Sequence, residues 1–342
     1  MTRVRTASRL HFGLLRVPAA DAAERTTAPA DPLVESLACG SIDDPLIESP
    51  RRCFGGVGLM VDAPGVTVHA QTSADWLAVG PLAERVSQII TQLRQRWPQP
   101  LPACRVTVEH APEPHTGLGV GTQLSLAVAA AMLHAAGARV PPAVELARLV
   151  QRGERSAVGV HGFACGGLIV DAGKTNADAL GTLAVRQALP GEWRVVLLTP
   201  SGPRWHGDSE RRVFGQAHLA TPLAITNTMC RLIVCDLLPA LAEADCEATG
   251  QALFAYNQLA GRAFAPVQGG TYASPAIAEA IAQLRGLGVA GVGQSSWGPT
   301  VFALCADADR AAWVANRAMA WSVGPVVIAA PCNHPAQLDA DD

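Results

Sequence analysis

Residues 114–132 read PHTGLGVGTQLSLAVAAAM, a polar glycine-rich turn followed by a Thr-Gln pair and an alanine-rich apolar segment of helical length. Glycines at 117, 119 and 121 let the backbone turn tightly and aim its N–H groups at a common point. Neither Pro nor Gly occurs from Thr122 to Ala136, which predicts a helix there. The positive end of that helix would face the same N–H cluster, an arrangement suited to a phosphate. The turn lacks both the Gly-Lys-Ser/Thr ending and the Gly-x-Gly-x-x-Gly spacing of two common phosphate loops. Taken alone, it fits either a phosphate cradle or a tight strand-to-helix connection whose glycines serve packing.

The chain around this stretch has 342 residues, enough for two domains or one large one and for a substantial core. A net charge of −3 offers no basic footprint for nucleic acid. No uninterrupted apolar run reaches the roughly 18 residues of a membrane helix, and MTRVRTASRLHFG lacks the apolar core of a signal peptide. The expected location is the cytoplasm, with no membrane partner. Nine cysteines without a Cys-x-x-Cys pair argue against both a disulfide framework and a zinc site, and most are expected to be small buried hydrophobes.

Upstream of the glycine turn, residues 2–17 alternate as a strand does and lead to a turn at Gly13, with Arg9 and His11 on one side. They could present a cation and an imidazole to an anion, or be a solvated arginine and a hydrogen-bonded histidine. Residues 18–50 show no period and are expected to be a surface excursion. Arg52 then precedes Gly55-Gly56 and an apolar strand expected to pair with the first, and 65–79 should add a strand or two. Apolar spacing predicts a helix from Leu82 to Trp97, and CRVTVEH (104–110) is a strand delivering the chain to the turn.

Downstream, a helix is predicted at 142–152, followed by GERSAVGVHGFACGG (153–167) and a buried strand, LIVDAG. The small residues of 153–167 suit a loop laid against a ligand or against the first helix. The buried strand WRVVLLT (193–199) begins a second domain and runs into a polar cluster with His206, Asp208, Glu210, Arg211 and Arg212. Helices are predicted at 222–244, 246–264, 275–287 and 308–320, with a break at Gln268-Gly269-Gly270. GVGQSSWGP (291–299) is a third glycine-rich stretch, followed by the strand VFALC; PVVIAA closes the domain and the residues after Pro331 are expected to be solvent-exposed.

Glycine-bearing elements in this order resemble the superfamily of galactokinase, homoserine kinase, mevalonate kinase and phosphomevalonate kinase, the GHMP kinases. PHTGLGVGTQ follows their Pro-x-x-x-Gly-Leu-Gly-Ser-Ser phosphate loop except that Val120-Gly121-Thr122 stands where the serines would be. Where kinase members carry a Ser-Gly-x-Asp segment with an acceptor-side aspartate, this chain has Ser156-Ala157-Val158-Gly159. RLHFGLL, RCFGGVGL, GLGVGTQ, GERSAVGVHGFACGG, QGG and GVGQSSWGP together resemble the β-ribofuranosylaminobenzene 5′-phosphate synthase family over nearly the whole chain outside 18–50.

That resemblance implies an α+β, two-domain GHMP-kinase-like fold. An N-terminal domain like domain 2 of ribosomal protein S5 would cover 1–190, a ferredoxin-like C-terminal domain 191–332, and a tail 333–342. It also implies a reaction: phosphoribosyl pyrophosphate joins 4-aminobenzoate, or 4-hydroxybenzoate, with release of pyrophosphate and carbon dioxide, on the methanopterin pathway. Mg²⁺ is the implied cofactor and a homodimer the implied assembly. Departure of pyrophosphate leaves an oxocarbenium-like centre, so the main task is to stabilise the leaving group's charge.

Gly117, Leu118, Gly119, Val120, Gly121, Thr122 and Gln123 would supply donors, and Arg9, Arg52 and Arg155 would bind the 5′-phosphate, pyrophosphate or benzoate carboxylate. Ser156, Gln268, Ser295 and Ser296 would contact substrate or phosphate, with a turn-forming role the alternative for the Ser-Ser pair. His11 would orient or deprotonate a ring substituent. Asp208 and Glu210 would hold Mg²⁺, or form exposed ion pairs with Arg211 or Arg212. An ATP-dependent small-molecule kinase and a non-catalytic phosphate-binding protein are the rival readings.

Overall fold

The first strand sets the frame. In the computed structural model, which describes residues 1–17, 52–176, 179–200, 221–321 and 324–340, β1 (Thr2–Leu14) pairs antiparallel with β2 (Gly56–Thr72), setting Arg9 opposite Met60 and His11 opposite Gly58. The alternation of TRVRTASRLHFG buries Val4, Leu10 and Phe12, and irregularities near Thr6–Ser8 and His11–Gly13 re-aim the polar side chains between them. β2 joins the apolar strand expected after Gly55-Gly56 to the start of the 65–79 stretch as one strand. It is long enough to pair β5 (Leu168–Asp171) with its first half and β4 (Cys104–His110) with its second.

β3 (Leu77–Val79) lies parallel to β4, and β6 (Leu183–Gln187) extends the sheet beyond β5. The sheet order is β11 (Gln337–Ala340)-β1-β2-β4-β3, with β5 branching from β2 and β6 pairing β5. α1 (Ala83–Arg96) buries Val86, Ile89, Ile90 and Leu93 on one face and ends before Pro98 as its spacing predicts. α2 (Val120–Ala135) is buried continuously from Gln123 to Leu133 between the β1–β2 surface and α1, α3 (Ala143–Leu149) and α4 (Val158–Cys165). Its alanines admit neighbours on every side.

The second sheet has order β10-β7-β9-β8, all antiparallel, from β7 (Arg194–Leu198), β8 (Val292–Gln294), β9 (Val301–Cys305) and β10 (Val326–Ala329). Counted along the chain this is 4-1-3-2 with helical crossovers, the ferredoxin-like arrangement. α8 (Pro275–Gly286) and α9 (Ala308–Met319) cover one face over Ile277, Ile281, Leu284 and Val314. α7 (Cys246–Gln268) crosses to β1, where Phe12 meets Phe302 with ring centroids 4.8 Å apart. One core thus runs through both halves.

Several expectations are corrected. The stretch read as a small-residue loop contains a helix, α4. Glycine usually weakens helices, but a Cβ on Gly162 would overlap the Met60 side chain, so glycine is what lets α4 lie on β2. The expected helix 222–244 is present as one continuous helical stretch, Leu223–Ala242, in which a π-helical turn (Leu232–Leu237) separates α5 (Leu223–Arg231) from α6 (Leu238–Ala242). By length and composition, Leu223–Ala242 is apolar enough to cross a membrane; here Met229, Ile233, Leu237 and Leu241 join the core.

α7 runs past 264 and ends at Gly269 in the left-handed region. The helix expected at 142–152 covers only Ala143–Leu149. The segment after Pro331 is not a free tail, because Gln337–Ala340 forms β11 and pairs with Thr2–Arg5 at the sheet edge. Of the cysteines, Cys104, Cys305 and Cys332 are buried, whereas Cys230 and Cys235 are exposed. The excursion 18–50 lies outside the described residues.

Candidate active site

A cleft of about 300 Å³ opens where the second half of β1, the 151–156 turn, the end of α7 and the 294–297 turn converge. Arg9, His11, Thr122, Arg155, Ser156, Gln268 and Ser296 all line it, as do Arg152, Glu154, Phe264, Tyr272 and Trp297.

Arg9 joins the two glycine-rich turns. Its backbone N–H donates to the Leu118 carbonyl (2.9 Å) and its Nη1 to Ser296 Oγ (2.9 Å). The guanidinium lies so close over Gly119, at φ +71°, that a Cβ there would stand 3.0 Å from Arg9 Nε. Ser295 Oγ donates to the Gly117 carbonyl (2.7 Å) and accepts from the His11 N–H (3.0 Å). A Cβ on Gly117 would overlap the Ser295 carbonyl, and one on Gly298 the Gly117 backbone. Both turns therefore need glycine for backbone contact with each other, and Thr122 is the residue of 117–123 that lines the cleft.

His11 is buried, and burial followed by the Arg9 charge pushes its pKa down to about 3. It is a neutral imidazole at ordinary pH. Its Nε2 lies 3.1 Å from Ser156 Oγ, which in turn lies 3.3 Å from Asp171 Oδ2. Asp171, wholly buried at the end of β5, also accepts from the N–H of Ala157 (2.7 Å) and of Gly173 (2.8 Å). Burial raises its pKa while those two N–H groups act to lower it.

Sequence reasoning also missed Arg152. It follows α3, and its guanidinium sits over the first turn of α2, 3.6 to 3.8 Å from where a Gly121 Cβ would be. Nε donates to Ser125 Oγ (3.0 Å), itself bonded to the Gly121 carbonyl (2.8 Å). Burial, then the Arg85 charge, lowers its pKa to about 10, so it stays cationic. Arg9, Arg152 and Arg155 give the described lining three guanidinium groups against one carboxylate, Glu154. The lining also has an apolar part: Leu14, Phe264 and Trp297 share a cluster, the two rings edge-on with centroids 4.9 Å apart.

Two amides hold the frame. Asn257 Nδ2 donates to the carbonyls of Phe12 (2.8 Å) and Gln294 (2.9 Å), and its Oδ1 accepts from the Gln294 N–H (2.9 Å), locking β1 to β8. Gln268 Nε2 donates to the carbonyls of Gly270 and Thr271, both at 2.9 Å, closing the turn after α7.

Other expected site residues fall elsewhere. Arg52 is exposed and outside the cleft lining, its Nη1 on the Gly173 carbonyl (2.9 Å) and Thr182 Oγ1 (3.0 Å). Gln123 is fully buried and ties Thr6 to the Gly159 carbonyl. Asp208 and Glu210 lie outside the described residues. Among the described residues no cluster of three or more His, Cys, Asp or Glu side chains could hold a metal ion.

Gly159, where a kinase aspartate would stand, is buried in α4; a Cβ there would be 3.3 Å from Thr122 Cγ2 and 3.5 Å from Gln123 Nε2.

The family models for the GHMP kinases N terminal domain and GHMP kinases C terminal match residues 84–168 and 237–320. The chain is 31% identical over 275 residues to the beta-ribofuranosylphenol 5′-phosphate synthase of Methanothermobacter thermautotrophicus, covering 74% of this chain and 82% of that protein. The Archaeoglobus fulgidus protein of the same name is 30% identical over 266 residues, covering 74% and 80%. Among solved structures, a homoserine kinase from Cytophaga hutchinsonii superposes with a TM-score of 0.65 at 14% identity over 99% of this chain and 97% of that one. The Streptococcus pneumoniae phosphomevalonate kinase gives 0.63 at 13% over 95% and 97%. At such identities these two establish the fold alone.

Proposed function

Since the chain belongs to the β-ribofuranosylphenol 5′-phosphate synthase family and carries the GHMP kinase fold, we propose that it joins phosphoribosyl pyrophosphate to a para-substituted benzoate, releasing pyrophosphate and carbon dioxide. This makes it a pentosyltransferase of the methanopterin type. The observation that carries the reading is one cleft whose lining holds both three arginines and an apolar Phe264–Trp297 pair. A ribose bearing a phosphate and a pyrophosphate calls for the first, and an aromatic ring for the second.

In this reading Arg152, beside the first turn of α2, and Arg155, in the same lining, take the pyrophosphate, and charge developing on the leaving oxygen strengthens those bonds in the transition state. Arg9, held by Ser296, faces the acceptor's carboxylate or the 5′-phosphate. The ring carbon bearing the carboxylate attacks C1 of the ribose, pushed by the para substituent, and loss of carbon dioxide restores aromaticity. No strong base is needed, which fits a neutral His11 and a buried Gly159. The relatives' name describes a ribosylated phenol, which favours 4-hydroxybenzoate as acceptor; 4-aminobenzoate is the second candidate.

Mg²⁺ typically binds through one or two carboxylates plus substrate phosphates, and Glu154 is the described cleft residue able to contribute one. The ion would neutralise the pyrophosphate; Asp208 and Glu210 keep their proposed place in holding it. A cytoplasmic homodimer that engages neither nucleic acid nor membrane completes the proposal.

The protein incubated with phosphoribosyl pyrophosphate and each aromatic acid should release pyrophosphate only when both substrates are present. ADP formed from ATP in the presence of a small alcohol, without pyrophosphate release in the first mixture, would overturn the reading in favour of a kinase.

A further inference from the structure

We propose that Asp171 is a positioning residue of this site: acting through Ser156, it fixes the His11 proton on Nε2 and leaves Nδ1 as an acceptor for a hydroxyl or amino hydrogen of the substrate. Sequence reading did not select Asp171, and no step of the proposed reaction uses it.

The direction of the bonds follows from counting protons. Asp171 accepts a backbone N–H on each oxygen, from Gly173 at 2.8 Å on Oδ1 and from Ala157 at 2.7 Å on Oδ2. These two N–H groups and the Ser156 hydroxyl all point donors at the carboxyl, which favours its ionised form, with no proton to give, against the burial that raises its pKa. Ser156 Oγ lies 3.3 Å from Oδ2 and has one proton, and the charge-assisted bond to the carboxylate outcompetes a neutral bond to an imidazole. Oγ is then an acceptor toward its other neighbours. The Val158 N–H at 3.3 Å is one of them, and His11 Nε2 at 3.1 Å must therefore be the other donor.

With Nε2 protonated on a neutral ring, Nδ1 carries the lone pair. Among the described residues nothing donates to Nδ1, and His11 lines the cleft. The second nitrogen of a histidine is commonly set this way by the partner of the first. The carboxylate is sealed in its place: a Cβ on Gly181 would overlap it.

The test is imidazole ¹⁵N NMR on the full chain labelled at histidine, with His11 assigned by the loss of its signals in His11→Gln. Wild-type protein should show a protonated, pyrrole-type Nε2 and an unprotonated, pyridine-type Nδ1. In Asp171→Asn, whose amide can donate to Ser156, the serine proton turns to His11 and the tautomer shifts toward protonated Nδ1. Ser156→Ala removes the bridge while the backbone bonds to Asp171 remain, and the two tautomers should mix; this variant carries the test alone if Asp171→Asn does not fold. In the synthase assay both variants should lose about tenfold or more in kcat with KM for phosphoribosyl pyrophosphate little changed. A wild-type proton on Nδ1, or a wild-type tautomer retained in the folded variants, overturns the proposal. Only the turnover arm rests on the proposed reaction. The tautomer is read on the enzyme alone, so the failure of one is distinguishable from failure of the other.

Discussion

Replacing Arg152 by alanine tests the proposed pyrophosphate contact. The guanidinium sits over the first turn of α2, fixed by Nε to Ser125 Oγ at 3.0 Å, and in the proposed reading its other donors take the pyrophosphate. A hydrogen bond to a charged group contributes about 1.5–3 kcal/mol, and at ~1.4 kcal/mol per decade its loss lowers kcat/KM for phosphoribosyl pyrophosphate about 10- to 150-fold. In the proposed reading the aromatic acid packs on Phe264 and Trp297 instead, and its KM should change less than about threefold, or ~0.7 kcal/mol. Arg152→Lys restores charge without the planar fork and should recover only part of the loss. Steady-state kinetics in each substrate, with calorimetric titration by pyrophosphate, measures both effects. Equal losses for the two substrates, or unchanged pyrophosphate binding in the folded alanine variant, would refute the assignment.

Three further outcomes are expected. Trp297→Ala removes one ring of the apolar wall and should raise KM for the aromatic acid by about tenfold, ~1.4 kcal/mol, while pyrophosphate binding is retained. Gly117→Ala forces a Cβ into the Ser295 carbonyl at φ +93° and endangers the Ser295–Gly117 bond; thermal or urea unfolding should show a loss of about 2–4 kcal/mol. His11 ordinarily titrates at 6.5, and its folded pKa is lowered to about 3. The unfolded chain therefore binds that proton first as pH falls. The stabilising contribution is complete above pH 6.5 and is lost progressively toward pH 3, by at most roughly 4–5 kcal/mol. Asp171, whose pKa is raised, acts in the opposite sense, so the comparison of wild type with His11→Gln across this range isolates the histidine.

The elements legible in the sequence are those whose pattern is local. α1 and the helix after the glycine turn follow from apolar spacing and the absence of Pro and Gly, and both lie where that spacing puts them. α4 was not legible, because Gly159 and Gly162 argue against a helix until the Met60 side chain beneath it is known. β11 carries no β-branched residue and forms because the edge of β1 is there to pair with. Arg9, His11, Arg155, Ser156, Gln268 and Ser296 meet at the cleft as the motifs suggested.

The charge of Arg52 beside two glycines points toward an anion site, but its partners at Gly173 and Thr182 come from a distant loop that local reading does not bring in. Arg152 stands in the same charged run as Arg155, where positive φ angles at Gln151 and Gly153 break the regular backbone from which a side-chain direction could be read. Asp171 did leave a signal: it is the single carboxylate ending an otherwise apolar, fully buried strand, where a charge requires partners.

The central claim is ribosyl transfer coupled to decarboxylation, and carboxyl-labelled acceptor reads it most directly. With phosphoribosyl pyrophosphate and carboxyl-labelled 4-hydroxybenzoate or 4-aminobenzoate, labelled carbon dioxide and pyrophosphate should appear in equal amounts and only with both substrates present. Label retained in the aromatic product while pyrophosphate is released, or no turnover of either acid by protein that forms ADP from ATP, would contradict it.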